Sequence, residues 1–351
     1  MARIVFGVMG DSFGHIYQAL AVVHHMPGHE FLFVGGDRAA VVKTMGYDVA
    51  EVPMPATHYR DNQVAFGPTL LSALSVMRNR GGVVTRLTEI VKAFDPTLIL
   101  TSYEYFSPLV ARRLGIPCIS IDNQHFLTKC VHAAPNGQWL SQLTFAAPLW
   151  VMFSSADRYM VNSFFPVTPR DPRDTEVFPP LLNPSIRDIV PTEGEHVLVY
   201  QTSPTFERLF DVLVSLPHQF IVYGFGERPS RKNLVFRAPS KERFLEDLSG
   251  CRYAIANGGH NVISEALYFG KPVLSFPIHL AYEQFFNAFM LASLRYGDYC
   301  LDRSPGPEVF ERFEERLDEF RSRITGKEFY GNERMATRLE QIILENGKMC
   351  C

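Results

Sequence analysis

The sequence predicts an α/β protein in which two doubly wound domains face a cleft. Three observations carry that prediction. Short β-branched or aromatic runs alternate with helical patterns along both halves of the chain. A proline cluster interrupts the alternation near the middle. The chain has 351 residues, 46% hydrophobic with 28 Phe, enough for two cores. These features place a first domain at 1–178, a Pro-rich hinge at 179–195 and a second domain at 196–351. The last helix is free to pack back on the first domain.

In the first half the expected strands are Arg3–Met9, Glu30–Val34, Thr97–Thr101, Cys118–Ile121 and Tyr159–Asn162, each bounded by Gly, Pro or Asp. Val83–Phe94 and Ser107–Leu114 read as helices between them. Pro179, Pro180, Pro184 and Pro191 mark the hinge. A second series follows, with strands at His196–Tyr200, Phe220–Tyr223, Tyr253–Ala256 and Val273–Phe276 and helices at Glu242–Leu248 and Val262–Phe269. Val309, Phe310, Phe313, Leu317, Phe320 and Ile324 form one late helical stripe, and Met335, Leu339, Ile342 and Ile343 another.

Composition excludes several function classes. The formal charge of −3 lacks the basic excess that phosphate-backbone binding needs. The apolar content excludes disorder. The six cysteines form no CxxC pair and have no His at zinc-finger spacing, which fits a reducing cytosol and no metal site. Cys350–Cys351 reads as a frayed tail, with lipidation as the other reading. The N-terminal apolar run is too short for a signal peptide, so a cytoplasmic protein is expected. One stretch stands apart: 130–156 carries no Lys, Arg, Asp or Glu and holds both tryptophans, Trp139 and Trp150. It reads either as a core helix or as an amphipathic segment touching the inner face of a membrane.

Two loops hold the candidate chemistry. The first strand runs into Gly7-Val8-Met9-Gly10-Asp11-Ser12-Phe13-Gly14-His15. Its glycines let backbone N–H groups approach a ligand, although the spacing is not the dinucleotide fingerprint. A neutral His15 there is suited to take a proton from a hydroxyl near pH 7, and it is equally a residue that caps or packs the helix. In the second half Asn257-Gly258-Gly259-His260-Asn261 precedes a helix carrying Glu265. Uncapped N–H groups and the positive end of the helix dipole favour a phosphate there. Glu265 is spaced to meet a ribose diol, and Glu283 and Gln284 offer an acceptor and an amide to sugar hydroxyls.

The block from Asn257 to Ala288, with Phe276-Pro277 and Asn287-Ala288, resembles the nucleotide-sugar signature of GT-B glycosyltransferases. It is similar to plant and animal UDP-glycosyltransferases and to the bacterial enzyme that adds N-acetylglucosamine to lipid-linked peptidoglycan precursor. The resemblance implies two Rossmann-like domains, with the diphosphate held by Gly258, Gly259, His260 and Asn261. It places the ribose on Glu265 and the sugar on Glu283 and Gln284. It also implies that Gly14 and His15 lie on the acceptor side, with His15 as base. Thr202 and Ser203 match a diphosphate loop, and Arg237 and Ala238 sit where the nucleobase is usually held. Asp122 and His125 are the alternative acceptor-side bases. The chain departs from the signature at Asn257, where the family has His, and at His260, where it has Trp.

The implied reaction is inverting transfer of a sugar, with UDP as the default carrier, to an acceptor hydroxyl. No cofactor or metal is required, since no Asp-x-Asp sits in a metal-binding position. The charge-free stretch adds a lipid-linked acceptor to the possibilities, and the bacterial resemblance suggests cell-envelope polysaccharide. A nucleotide-sugar epimerase of the same frame and a non-catalytic nucleotide-sugar-binding subunit are the competing readings.

Overall fold

The computed structural model describes residues 1–349 apart from 11, 12, 133, 134 and 136. Asp11 and Ser12 of the first loop and the Cys350–Cys351 pair therefore lie outside the described residues. The first half builds a seven-stranded parallel sheet in the order β11-β9-β7-β6-β1-β2-β3. Its central strands are β1 (Arg3–Val8), β2 (Glu30–Gly35), β6 (Leu98–Ser102), β7 (Cys118–Asp122) and β9 (Arg158–Asn162), with edges at β3 (Asp48–Glu51) and β11 (Thr175–Phe178). β6 and β7 are buried at every position, as expected of strands covered on both faces.

Helices α1 (Phe13–His24), α2 (Ala40–Lys43), α3 (Phe66–Arg78), α4 (Arg80–Phe94) and α5 (Phe106–Leu114) supply the crossovers. Asp95, in the left-handed region, closes α4, and Gly115 closes α5 in the same way. Between β3 and α3 the chain makes a small hairpin, β4 (Tyr59–Arg60) and β5 (Gln63–Val64). Its turn residues Asp61 and Asn62 both have positive φ, near 50°. After β7 come α6 (Phe126–Lys129), a short strand β8 (Cys130–Val131) and α7 (Trp139–Pro148). A π-turn over Leu149–Phe153 ends α7 beside Pro148. β8 pairs with β10 (Thr168–Pro169).

The second half builds a six-stranded parallel sheet in the order β14-β13-β12-β15-β16-β17. Its strands are β12 (Val197–Tyr200), β13 (Phe220–Tyr223), β14 (Leu234–Phe236), β15 (Ala254–Ala256), β16 (Val273–Ser275) and β17 (Gly297–Tyr299). Helices α8 (Leu209–Leu213), α9 (Lys241–Ser249), α10 (His260–Tyr268) and α11 (Tyr282–Ser293) cover it. The late stripe forms two helices, α12 (Pro307–Glu314) and α13 (Leu317–Ile324), where the sequence suggested one. The last helix, α14 (Asn332–Met349), crosses back. Met335, Ala336, Leu339 and Ile342 pack with Ile4, Phe6 and Ile16 under the first sheet.

One apolar cluster runs continuously between the two sheets. Phe126 stacks on Phe286 of α11 at 4.7 Å, and Phe165 meets the same ring at 5.6 Å. Aromatic contacts of this kind add about 0.5–1.5 kcal/mol each beyond area burial. They join the halves along one side and leave the carboxyl ends of both sheets facing each other.

Candidate active site

In each sheet the strand order reverses once, between β1 and β6 in the first and between β12 and β15 in the second. Ligands of open α/β sheets bind at such switch points. His15, on the first turn of α1 after β1, reaches across its switch to Ser102 at the end of β6, with Nδ1 2.9 Å from Oγ. Asn257, just after β15, reaches across the other: its Oδ1 accepts the Thr202 N–H from the loop after β12 at 2.7 Å. The two switch points meet through α1 and α10, where the Gln18 amide donates to Asn261 Oδ1 at 2.6 Å.

His15 is half-buried and stacks on Tyr103 at 5.6 Å. The Gln124 amide lies 3.5 Å from its Nε2. An N–H of Gln124 pointing at Nε2 leaves Nδ1 to carry the proton toward Ser102, so Nε2 keeps its lone pair. Burial pushes the His15 imidazole down to about 4, and Asp122 only partly opposes this. The ring is therefore neutral at pH 7. Gln124 also donates to Glu283 Oε2 at 3.2 Å, joining the candidate base to the candidate sugar-binding carboxyl. Burial pushes Glu283 up to about 7, against the Gln124 hydrogen bond and with a further push from Asp122.

Asp122 and His125 are nearly closed to solvent and face each other. Asp122 accepts from the His125 backbone N–H at 2.9 Å, from its Nδ1–H at 2.7 Å and from Ser120 Oγ at 2.6 Å. Burial works against that charge, but the His125 and Ser120 partners hold the carboxyl below the usual range. This geometry does not favour either residue as a base for a hydroxyl in the cleft, as the sequence allowed. The pair instead fixes the turn that presents Gln124.

On the second half, Gly259 caps α10 with extended backbone and no side-chain hydrogen bond. The first N–H groups of that helix are left for a ligand. Gly258 has φ +97°, and a Cβ there would sit 2.5 Å from the Gln284 carbonyl, so only Gly lets the loop lie on α11. His260 is buried against Phe164 and beside the Asn261 side chain. Burial pushes it down to about 4. The exposed Thr202 has its hydroxyl 3.8 Å from where a Cβ on Gly259 would lie, facing the same turn. Ser203 bonds Thr205 Oγ1 within its own loop.

The remaining expected residues have other partners. Glu265 is buried and ion-paired with Lys241 of α9, a residue the sequence reading did not single out. Lys241 also lies over Tyr17 of α1. Gln284 accepts the Ile278 N–H at 3.1 Å, so its side chain braces a loop. Arg237 pairs with Asp247 at 3.2 Å, while Ala238 is exposed beside it. Gly14 sits in the first turn of α1.

The sequence reading missed the β4–β5 hairpin. Its tip residue Asn62, only 3% exposed, spans the cleft. The Asn62 N–H donates to Thr205 Oγ1 at 3.0 Å, its carbonyl accepts the His279 N–H at 2.8 Å, and its side-chain oxygen lies 3.3 Å from Asn257 Nδ2. Asp61-Asn62 is a local turn signal, but nothing local to it shows partners more than 140 residues away.

Comparison with known proteins bears on the family and the fold. The chain matches the model of glycosyl transferase family 1 over residues 2–318. An uncharacterized glycosyltransferase of Methanosarcina acetivorans is 25% identical over 88% of this chain and 87% of its own length. One from Methanosarcina mazei is 24% identical over 96% and 95%. Among solved structures, the glycotransferase of kitacinnamycin superposes with a TM-score of 0.70 at 16% identity, covering 97% of this chain and 98% of that one. MurG of Acinetobacter baumannii superposes at 0.61 and 16%, covering 97% and 99%. These structural likenesses speak for the two-sheet GT-B fold. With the family match over most of its length and a shared architecture, this chain belongs to glycosyl transferase family 1 and is a glycosyltransferase.

Proposed function

We propose that the protein transfers a sugar from a UDP-linked donor to an acceptor hydroxyl, with inversion and without a required metal ion. The observation that carries the reading is the meeting of the two switch points through Gln18 and Asn261, which brings the helix that carries neutral His15 to the uncapped amino end of α10. His15 Nε2 takes the hydroxyl proton as the oxygen attacks the anomeric carbon. The bond from that carbon to the diphosphate breaks, and the electron pair leaves with UDP. The growing charge is met by the N–H groups of Gly259, His260 and Asn261, with Thr202 and Ser203 beside them. Glu283 binds the sugar. The ribose diol exchanges for Lys241 at Glu265, and Arg237 with Ala238 lines the base side. Gly258 shapes the turn, and Gln284 acts through its brace on the loop after β16.

The acceptor side is formed by Gly14, His15 and the turn that Asp122 and His125 hold. A lipid-linked acceptor at the inner face of a membrane fits the charge-free segment, because Trp139 and Trp150 are 69% and 60% exposed and not in the core. Among the described residues no helix is long and apolar enough to cross a membrane. Contact would therefore be peripheral.

Isothermal titration with UDP tests the donor site. Wild type is expected to bind, and Glu265→Ala to bind about tenfold or more weakly, as loss of hydrogen bonds to a carboxylate implies. Equal heats for the two would remove the assignment. Incubation with UDP-N-acetylglucosamine and no acceptor separates the epimerase reading, since only an epimerase would isomerise the sugar. Donor binding without transfer to any of a panel of acceptors would mark a binding subunit.

A further inference from the structure

Nine of the seventeen exposed large apolar side chains among the described residues fall in two segments free of acidic residues, 62–88 and 130–156. The second contains the two tryptophans already discussed. The first contains α3, a helix whose apolar side faces outward. Phe66, Leu70 and Leu74 recur at four-residue spacing with Leu71 beside them, and these four are 48–69% exposed. The helix is anchored from the other side by Val76, which is buried, and Met77. A soluble surface helix normally shows the reverse arrangement.

The carboxyl end of this face carries unpaired positive charge. Arg78 ends α3 and Arg80 opens α4; both are exposed, and neither forms an ion pair among the described residues. Arg86, one turn and a half farther on, donates to the Glu51 carbonyl. From Arg60 to Glu89 four Arg stand against Asp61 and Glu89, a local excess of two positive charges in a protein whose net charge is −3. A local excess of positive charge beside four outward apolar side chains complements a bilayer surface that carries anionic headgroups.

From this we infer that α3 docks on an anionic membrane surface, its Phe66–Leu74 face entering the headgroup layer and Arg78 and Arg80 contacting lipid phosphates. The helix directly follows the hairpin that spans the cleft, so docking would bring the cleft rim to the bilayer. This extends the lipid-linked acceptor reading but does not depend on the site chemistry.

The test is flotation with vesicles of phosphatidylcholine alone and with about one-third phosphatidylglycerol. Wild type should float with the anionic vesicles and be released by salt. Leu70→Ser/Leu71→Ser/Leu74→Ser should weaken binding about a hundredfold, from lost apolar insertion. Arg78→Gln/Arg80→Gln should weaken it about thirtyfold and flatten the salt dependence. UDP titration of the same variants should match wild type, so loss of docking is distinguishable from loss of the donor site. Three outcomes overturn the inference: no flotation with either vesicle, wild-type flotation of both variants, or conversion of a wild-type dimer to a monomer by the triple serine variant.

Discussion

Replacing Glu283 by Gln tests whether a buried acid sits at the centre of the cleft. Burial pushes this carboxyl up to about 7 from the usual carboxylate range, Asp122 adds to the push, and the Gln124 hydrogen bond only partly offsets it. Between the unfolded value near 4.5 and the folded value the native protein holds more protons than the unfolded chain. Stability from this group therefore falls as pH rises through that window and is lowest above it. At about 1.4 kcal/mol per unit the full cost approaches roughly 3 kcal/mol. Glu283 keeps some contact with solvent, so about 1–3 kcal/mol is the expected range. Glu283→Gln keeps an oxygen for the Gln124 amide and cannot ionise. Urea denaturation at pH 5, 6, 7 and 8 should show the wild type losing stability relative to the variant across the series, by about 1–3 kcal/mol in total. Parallel pH profiles would refute the reasoning and place the carboxyl in solvent.

Three further outcomes follow from the same geometry. His15 is neutral down to about 4, so in Glu283→Gln, which removes the group that titrates near 7, the acid limb of kcat/KM should lie near pH 4–5. His15→Ala should lose about 10²–10⁴ in kcat; an acid limb at pH 6.5 in Glu283→Gln, or His15→Ala activity within a few-fold of wild type, would reject it as base. Gly258→Ala combines a positive φ with a close approach to the Gln284 carbonyl and should cost roughly 3 kcal/mol in chemical denaturation; a cost below about 0.5 kcal/mol would show that the loop does not need Gly. Thr205→Val leaves the buried Asn62 N–H without its acceptor and should cost about 1–3 kcal/mol, read by urea unfolding. Unchanged stability would mean that the hairpin is not seated on the second half in solution.

Much of the frame was legible because its strands are continuous apolar runs. Residues 98–102 and 118–122 are buried at every position, including the polar Thr101, Ser102, Ser120 and Asp122, as parallel strands covered on both faces are. The edge strands β3, β11, β14 and β17 were not legible. Each has three or four residues, and Asp48–Glu51 carries a charge at either end. The break between α12 and α13 was hidden because Phe313, Leu317 and Phe320 keep one stripe across it. Trp139 and Trp150 show a different limit: absence of charge suggests a segment is apolar, but not which of its sides meets solvent.

Sequence motifs also group together residues with different structural roles. Asn257 and Gln284 belong to the nucleotide-sugar block, yet the side-chain oxygen of each accepts from protein backbone. Asn257 holds the Thr202 N–H and Gln284 the Ile278 N–H. They keep loops in place, and nothing in the sequence separates them from the ligand-facing positions. Their side-chain oxygens are occupied, whereas the N–H groups that open α10 have no side-chain acceptor. Leaving a buried polar group unpaired costs about 1–3 kcal/mol. A ligand that fills this capacity recovers that cost on binding, while an occupied brace offers nothing to recover. The proposed anion-binding turn from Gly259 to Asn261 is thus the part of the block whose backbone donors no capping side chain occupies.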